Sequence, residues 1–219
     1  MCREKRHKTP SAGKAIFMFG IKTKALFAIA LSVLFLGTAF GGYLRCMQNC
    51  AEMTFLSNAA TGTVLLFSGV YALVRKRDVP HFLYLDCATL MACVMFVCAV
   101  FAPEVCFVGA SVLPHLVTPV AMLAFYFIFC DGRTCKTELI FTTVPFPTAY
   151  YIFMIVFGRV SGRSVYPYFD SNAMSYLSLV LIGVSAVALL AVLALVLLFI
   201  NRRMHAAIAK RAAAKTRSA

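Results

Sequence analysis

Residues 175–200 read SYLSLVLIGVSAVALLAVLALVLLFI, a run without a single charged side chain, and two basic residues, Arg202 and Arg203, follow it closely. A hydrocarbon core of about 30 Å is crossed by a helix of roughly 20 apolar residues. This run exceeds that length, so its helix is expected to tilt or to protrude from the membrane. The stretch therefore predicts a transmembrane helix.

Five further apolar runs precede this one along the chain. They are Lys24–Leu44, Thr54–Val74, Phe82–Ala102, Ala110–Cys130 and Leu139–Phe157. Hydrophobic residues make up 62% of the 219 residues and charged residues 13%, whereas soluble domains are about half apolar and a quarter charged. No segment alternates apolar and polar residues as the strands of a membrane barrel do. The sequence predicts an all-α, six-helix transmembrane domain over residues 24–200.

The net charge of +13 is distributed unevenly around these spans. All but three of the 21 Lys and Arg residues lie before the first span, in alternate gaps, or after the last span; the exceptions are Arg45, Arg159 and Arg163. This bias is the positive-inside pattern. It predicts a plasma (cytoplasmic) membrane protein with a basic cytoplasmic segment at 1–23 and a basic cytoplasmic tail at 201–219. The tail either continues the last helix or lies on the membrane surface.

Nucleic acid is excluded as a partner by the same distribution, because a nucleic-acid surface gathers its basic residues on one domain and interleaves them with aromatic ones.

The nine cysteines carry no metal-binding motif. Four of them lie within spans and are expected to behave as small apolar residues: Cys87, Cys93, Cys98 and Cys130. Three lie in outward loops, where Cys106 can form a disulfide with Cys46 or Cys50. Without a histidine or a second cysteine pair nearby, no metal site and no cofactor is predicted.

The second span begins with a stripe of polar side chains. Thr54, Ser57, Asn58 and Thr61 follow the spacing i, i+3, i+4 and i+7, which places them on one helical face. Polar groups in lipid are costly, so this face is expected to point into the bundle. The stripe indicates either interhelical hydrogen bonding or a functional site.

The fourth span contains Pro114, His115, Thr118 and Pro119, and His115 is the only histidine well inside a span. At α-helical spacing, Pro119 leaves the carbonyl of His115 without its hydrogen-bond donor and favours a kink. His115 is either a hydrogen-bonded packing residue or a catalytic group. Thr118 lies on the same face one turn further on.

The predicted topology places Thr54 and His115 in the same, outer half of the membrane. A threonine hydroxyl becomes a nucleophile when a base removes its proton, and imidazole suits this role near neutral pH. Asn58, one turn from Thr54, is expected to orient the base or to donate to an oxyanion. Hydroxyl, imidazole and amide together predict a minimal acyl-transfer site.

Asp86 lies near the cytoplasmic end of the third span. Its predicted role is an ion pair with a basic residue of the adjacent gaps, in the range 75–77 or at Arg133. The alternative is a proton or ion pathway.

The fifth span holds two prolines and the pair Tyr150 and Tyr151, which favours either a broken helix that lines a cavity or a kinked helix packed by aromatic rings. The last outward loop, 166–172, contains Asp170. This loop predicts an aromatic belt at the interface, an N-cap for the sixth helix at Asp170, or a closure of the cavity from above.

Three phrases, TFLSN at 54–58, PHLVTP at 114–119 and YPYFD at 166–170, together with six spans, resemble the bacterial branch of the androgen-induced-protein-like membrane family, which includes the androgen-dependent TFPI-regulating proteins. The resemblance covers roughly residues 24–200. It implies hydrolysis of fatty acid esters of hydroxy fatty acids, with Thr54 as nucleophile and His115 as base. The chain departs from the animal members in its short loops.

Two hypotheses follow from the sequence. The first is an integral membrane hydrolase that acts on a lipid ester or acyl substrate drawn from membrane lipids. The second is a non-enzymatic lipid-binding protein or small transporter that uses the same cavity. The two halves of the chain show no evident repeat, which disfavours a transporter, and the sequence does not determine the oligomeric state.

Overall fold

The computed structural model describes residues 20–43, 51–106, 108–166 and 169–217. Six spans form its helical bundle. The first three spans are single α-helices, Ile21–Tyr43, Met53–Arg75 and Phe82–Phe101, and a short helix, Pro103–Cys106, follows them. All six helices are long and apolar enough to cross a membrane, and no β-strand occurs among the described residues. The chain is therefore a multi-pass, all-α membrane protein, as predicted.

The fourth and fifth spans are each built from several helical pieces. The fourth combines a 3₁₀ turn at Gly109–Ser111, a π-helix at Leu113–Val117 and an α-helix at Thr118–Phe129. The fifth combines a 3₁₀ helix at Thr137–Thr143 with an α-helix at Pro145–Ser161. The prolines explain these breaks, since a proline cannot donate to the helical ladder. The fifth span was expected to be either broken or kinked, and the structure shows two separate helical pieces.

The sixth span is a single helix, Tyr176–Arg217, of 42 residues. At 1.5 Å per residue it is about 63 Å long, roughly twice the thickness of a hydrocarbon core. Its C-terminal turns therefore lie beyond the membrane, and of the two predicted forms of the tail, the continued helix is the one observed as far as Arg217.

The first and second spans pack antiparallel through small residues. A Cβ atom added at Gly62 would lie 2.8 Å from Leu36 Cγ, and one added at Gly69 would lie 2.8 Å from the carbonyl oxygen of Ala25. Glycines that permit such close approach are typical of helix pairs in membranes. This packing defines two ends of the bundle, which we call the Thr54 end and the Lys24 end after buried residues of the second and first spans.

The core lies between the third, fourth and sixth spans. Its largest fully buried side chains include Tyr84, Leu85, Met122, Tyr126 and Leu198. The fifth span is the least buried of the six and presents most of its surface outward. The core thus holds the fourth span firmly, and the fifth span lies at the edge of the bundle.

One prediction about the cysteines is wrong. Cys98 was expected to behave as a small apolar residue, but it is disulfide-bonded. Cys87, Cys93 and Cys130 are free thiols within spans, as predicted. The predicted disulfide of Cys106 with Cys46 or Cys50 lies outside the described side chains.

Candidate active site

Thr54 and His115 meet at the Thr54 end of the bundle. Thr54 Oγ1 lies 3.3 Å from His115 Nε2, and Thr54 is only 7% exposed. On the other side of the ring, His115 Nδ1 lies 2.8 Å from the carbonyl oxygen of Ser111. A carbonyl only accepts, so Nδ1 carries a proton, and in the neutral ring the lone pair of Nε2 then faces the threonine hydroxyl. This tautomer of the neutral imidazole is the one that a general base requires. The predicted contact between these two side chains is confirmed.

The π-helix explains how His115 is presented. The N–H of Thr118 donates to the carbonyl of Leu113, five residues back. In this register, the carbonyl of Pro114 would accept from the N–H of residue 119. Residue 119 is a proline and has no N–H. The α-helical spacing assumed from the sequence put the freed carbonyl at His115, whereas the π spacing moves it to Pro114. Such π-bulges occur frequently at functional sites.

Asn58 satisfies this freed carbonyl. Its Nδ2 donates to Thr54 O at 2.8 Å and to Pro114 O at 3.4 Å, and its Oδ1 accepts from Thr118 Oγ1 at 2.7 Å. Both amide hydrogens are used, so Asn58 has none left for an oxyanion, and it contacts the backbone rather than the His115 ring. Its predicted roles as oxyanion donor and orienter of the base are wrong. Instead, Asn58 and Thr118 join the second and fourth spans and fix the distance between Thr54 and His115.

The remaining polar residues of the second-span stripe are buried, as predicted. Ser57 is fully buried, and its hydroxyl has no hydrogen-bond partner among the described residues. Ser57 thus offers a hydroxyl on the same face as Thr54. Thr61 is also fully buried, but it lies about 10 Å further along the helix axis. It is therefore too deep to act at the same atom as Thr54.

Two tyrosines fix the start of the second span. Tyr166 Oη accepts from the backbone N–H of Met53 at 2.8 Å, and Tyr150 Oη donates to the carbonyl of Ala51 at 2.9 Å. The N–H of Met53 is one of the first-turn amides that have no partner within a helix. Burial, with the neighbouring Tyr150, raises the pKa of Tyr166, so its phenol stays neutral. Tyr150 thus supports the site.

Sequence reasoning missed Glu52, which precedes the second span by one residue. Burial raises the pKa of its carboxyl, and its side chain makes no capping hydrogen bond to the helix. The first-turn amides therefore remain uncapped by a carboxylate. The signal that could have found this residue is its position, since it is the only acidic residue between the first two spans.

Tyr151 and Asp170 do not join this site. Tyr151 Oη donates to Leu179 O at 2.6 Å, and its ring packs against Gly183, so it links the fifth and sixth spans. It lines a separate, largely apolar groove of about 340 Å³ between those two spans. Asp170 is exposed and accepts from the N–H of Asn172, within its own turn.

The predicted N-cap at Asp170 is also wrong. Ser175 caps the sixth helix, and its Oγ accepts from the N–H of Ser178 at 3.1 Å. The helix begins at Tyr176, so Asp170 lies too early in the chain to reach its first turn. Asn172 Nδ2 instead donates to Gly158 O near the end of the fifth span. The loop therefore holds the fifth span in place.

Asp86 lies at the opposite end of the bundle and makes no ion pair among the described residues. Thr142 Oγ1 donates to its carboxylate at 2.7 Å, a contact between the third and fifth spans. The predicted ion pair is wrong because the adjacent basic residues point elsewhere. Arg133, for example, is paired with Asp131 at 2.7 Å.

The site as a whole combines a buried hydroxyl, an imidazole in the base tautomer and the start of a helix. The positive end of the helix dipole and the first-turn N–H groups lie beside Thr54, a position that favours negative charge. No group of three or more His, Cys, Asp or Glu residues within the described ranges is arranged to hold a metal ion. A search of protein-family models, of curated proteins and of solved structures gave no match to this chain.

Proposed function

We propose that the chain is an integral membrane hydrolase of lipid or fatty-acyl esters, with Thr54 as the nucleophile and His115 as its base. The observation that carries this proposal is the 3.3 Å contact between Thr54 Oγ1 and His115 Nε2, on a ring whose Nδ1 donates to the carbonyl of Ser111. A general base needs a lone pair within reach of the proton that it removes.

The reaction would proceed in two halves. In the first, Thr54 Oγ1 attacks the ester carbonyl, and its proton passes to His115 Nε2. The tetrahedral intermediate then collapses, the C–O bond to the alcohol breaks, and the imidazolium protonates the leaving alcohol. In the second half, His115 takes a proton from water, and the hydroxide attacks the acyl–threonine ester. The bond between the acyl carbon and Thr54 Oγ1 then breaks, and the imidazolium returns its proton to Oγ1. The products are the carboxylic acid and the free Thr54 hydroxyl.

Two features support stabilisation of the oxyanion. The backbone N–H of Thr54 belongs to the first helical turn, where amides have no intrahelical acceptor. Ser57 supplies a buried hydroxyl on the same face. Donors held in place before reaction are effective in a site of low dielectric constant, because they need no reorganisation when charge develops.

A lipid ester is the substrate class that fits this location. The site lies inside a membrane-spanning bundle, so an apolar ester reaches it by lateral movement from the bilayer. The weakly covered fifth span, whose Tyr150 contacts the start of the second span, provides the edge of the bundle nearest the site. Esters with long apolar chains are therefore expected to be better substrates than short, water-soluble ones.

The orientation is also part of the proposal. The basic residues of the Lys24 end, compared with only three at the other end, support a cytoplasmic Lys24 end and cytoplasmic termini in the plasma membrane. The Thr54 end then faces the exterior.

Cysteine labelling in intact cells tests this orientation. We expect a membrane-impermeant maleimide to modify Ser164→Cys, in the exposed loop of the Thr54 end, and to leave Arg77→Cys unmodified until the membrane is permeabilised. Reading the modification peptide by peptide separates these positions from the native cysteines. Modification of Arg77→Cys in sealed cells would reverse the orientation.

Covalent labelling tests the nucleophile directly. A fluorophosphonate probe is attacked at phosphorus by an activated hydroxyl oxygen, and the P–F bond breaks with loss of fluoride. We expect fragment spectra of the purified protein to place the adduct on Thr54, and His115→Ala to suppress it about 10²-fold or more, the usual contribution of a general base. Thr63, an exposed hydroxyl of the same helix, is the internal control. An adduct that forms equally on Thr63, or that persists in His115→Ala, would argue against an activated Thr54.

A further inference from the structure

The Lys24 end of the bundle contains a cavity of about 660 Å³. Polar residues on its wall include Lys24, Asp78, His81 and Thr134, and apolar ones include Phe82 and Leu139. The second span separates this cavity from Thr54 by about 35 Å, the length of its 23 residues. The cavity is therefore distinct from the candidate active site.

A buried ion pair forms one wall of the cavity. Lys24 is only 2% exposed, and its Nζ lies 2.5 Å from Asp78 Oδ2 and 4.2 Å from the centre of the Tyr84 ring. Tyr84 Oη donates to Asp78 Oδ1 at 2.9 Å. Burial raises the pKa of the Asp78 carboxyl, but the hydrogen bond from His81 and the charge of Lys24 outweigh it and lower the pKa to about 2. Asp78 is thus a carboxylate that binds several donors.

His81 is held on the cavity wall by contacts to both of its ring nitrogens. Its Nε2 faces Asp78 Oδ2 at 3.1 Å, and its Nδ1 faces the carbonyl of Asp131 at 3.2 Å and Thr134 Oγ1 at 2.9 Å. The ring therefore joins Asp78 to the loop that contains Asp131 and Thr134.

The balance of charge at the cavity is positive. Lys24 balances the carboxylate of Asp78, and the Asp131 carboxylate is taken by Arg133. The loop that forms the adjacent wall begins with the exposed residues 75–77, all of them basic, and these residues give the mouth of the cavity its positive charge. The Lys24 ammonium faces Asp78, the Tyr84 ring and the Cys130 thiol, and its remaining exposed edge lines the cavity. Burial of a cation at the end of a membrane bundle costs free energy, and this cost makes Lys24 a candidate functional residue.

We propose that this cavity binds the anionic head of a membrane lipid, with the phosphate at Lys24 and the basic loop and an acyl chain along the apolar wall. The volume is within the range of small-molecule sites, and a mostly apolar wall with a few converging polar groups is their usual composition. Basic pockets between transmembrane helices are known to accept lipid head groups. The apolar wall, which includes Ile21, Phe82 and Leu139, favours a lipid over free phosphate.

The absence of tryptophan from the chain makes a direct test possible. Phe82→Trp introduces a single fluorophore on the cavity wall, and bromine atoms on lipid chains quench it on contact. In phosphatidylcholine nanodiscs, we expect brominated phosphatidylglycerol to quench this tryptophan at a mole fraction about fivefold lower than brominated phosphatidylcholine, the selectivity that one basic contact supplies. Phe67→Trp, on the lipid-facing side of the second span at 59% exposure, is the matched control and should show no preference.

Two sets of substitutions in the Phe82→Trp protein test which residues cause the preference for phosphatidylglycerol. The pair Lys24→Gln with Asp78→Asn removes the buried charges together, so that neither is left unpaired. The pair Arg75→Gln with Arg77→Gln alters only exposed residues and leaves the fold intact. We expect each pair to reduce the preference of the cavity tryptophan for phosphatidylglycerol at least twofold. Arg163→Gln, an exposed basic residue of the opposite end, should change nothing.

Equal quenching of the cavity tryptophan by both lipids would overturn the proposal, and so would full selectivity in both sets of variants. Glycerol phosphate added at the same concentration should not relieve the quenching. If it does, the cavity binds a soluble phosphate compound and not a lipid. The measurement does not involve ester turnover, so it is independent of the function proposed for Thr54.

Discussion

Thr54→Val should abolish the hydrolysis of long-chain lipid esters, with a loss in kcat/KM of about 10³-fold or more, because valine keeps the shape of threonine and removes the attacking oxygen. His115→Ala should reduce kcat/KM by about 10²- to 10⁴-fold, the usual contribution of a general base. Both are measured on purified protein in nanodiscs with a panel of esters. The double variant should lose no more than Thr54→Val alone, since the hydroxyl and its base act as one unit.

Two comparisons make this result specific. Thr54→Ser keeps the hydroxyl and should retain part of the turnover. Thr63→Val removes an exposed hydroxyl of the same helix, which bonds its own backbone at Ala59, and should leave turnover unchanged.

The opposite outcome has a defined meaning. If the wild type and both single variants turn over esters at the same rate, the hydrolysis does not occur at Thr54. If the wild type binds these lipids without hydrolysing them, the contact between Thr54 and His115 serves recognition. The chain would then be a lipid-binding protein or small transporter.

The sequence determines the helical spans because the signal is local. Twenty consecutive apolar residues are sufficient to predict a span, and the spacing of Thr54, Ser57, Asn58 and Thr61 is sufficient to predict a buried face. The shared depth of Thr54 and His115 could be predicted for the same reason, since the depth of a residue in the membrane follows from its position along its span. These inferences use no information about which helices are neighbours.

The predictions that fail all depend on contacts between distant parts of the chain. Asn58 could donate to an oxyanion only if its amide hydrogens had no other acceptor. The π register of the fourth span frees the carbonyl of Pro114, and the Asn58 amide donates to it. Asp86 was expected to meet a cation, but its partner is Thr142, 56 residues away. Lys24 is counted as a basic residue at the edge of a span, yet the structure buries it against Asp78. No local pattern records these pairings.

Asn201→Ala should be the most destabilising of the single substitutions outside the site. Asn201 is fully buried in the sixth helix, where its Oδ1 accepts from Gly132 N at 2.7 Å and its Nδ2 donates to Tyr126 O and Cys130 O at 3.1 and 3.0 Å. Tyr126 O also accepts from the backbone N–H of Cys130, whereas Cys130 O follows the last helical turn, where the helix provides no donor. Alanine therefore leaves one buried donor, Gly132 N, and one buried acceptor, Cys130 O, unsatisfied, at about 1 kcal/mol or more each.

The expected loss of about 2 kcal/mol corresponds to a decrease in Tm of roughly 4–8 °C for a chain of this size, measured by thermal unfolding in detergent. Asn201→Asp should be at least as destabilising, since it keeps the acceptor for Gly132 and places a carboxylate against two carbonyls. Arg203→Gln, on the exposed side of the same helix, is the control and should change stability by less than about 0.5 kcal/mol. If Asn201→Ala unfolds with the wild type, the fourth span is held by its apolar core alone. A decrease in Tm confined to the Asn201 variants would instead show that Asn201 of the sixth helix stabilises the end of the fourth span. The fourth span is the one that positions His115 beside Thr54.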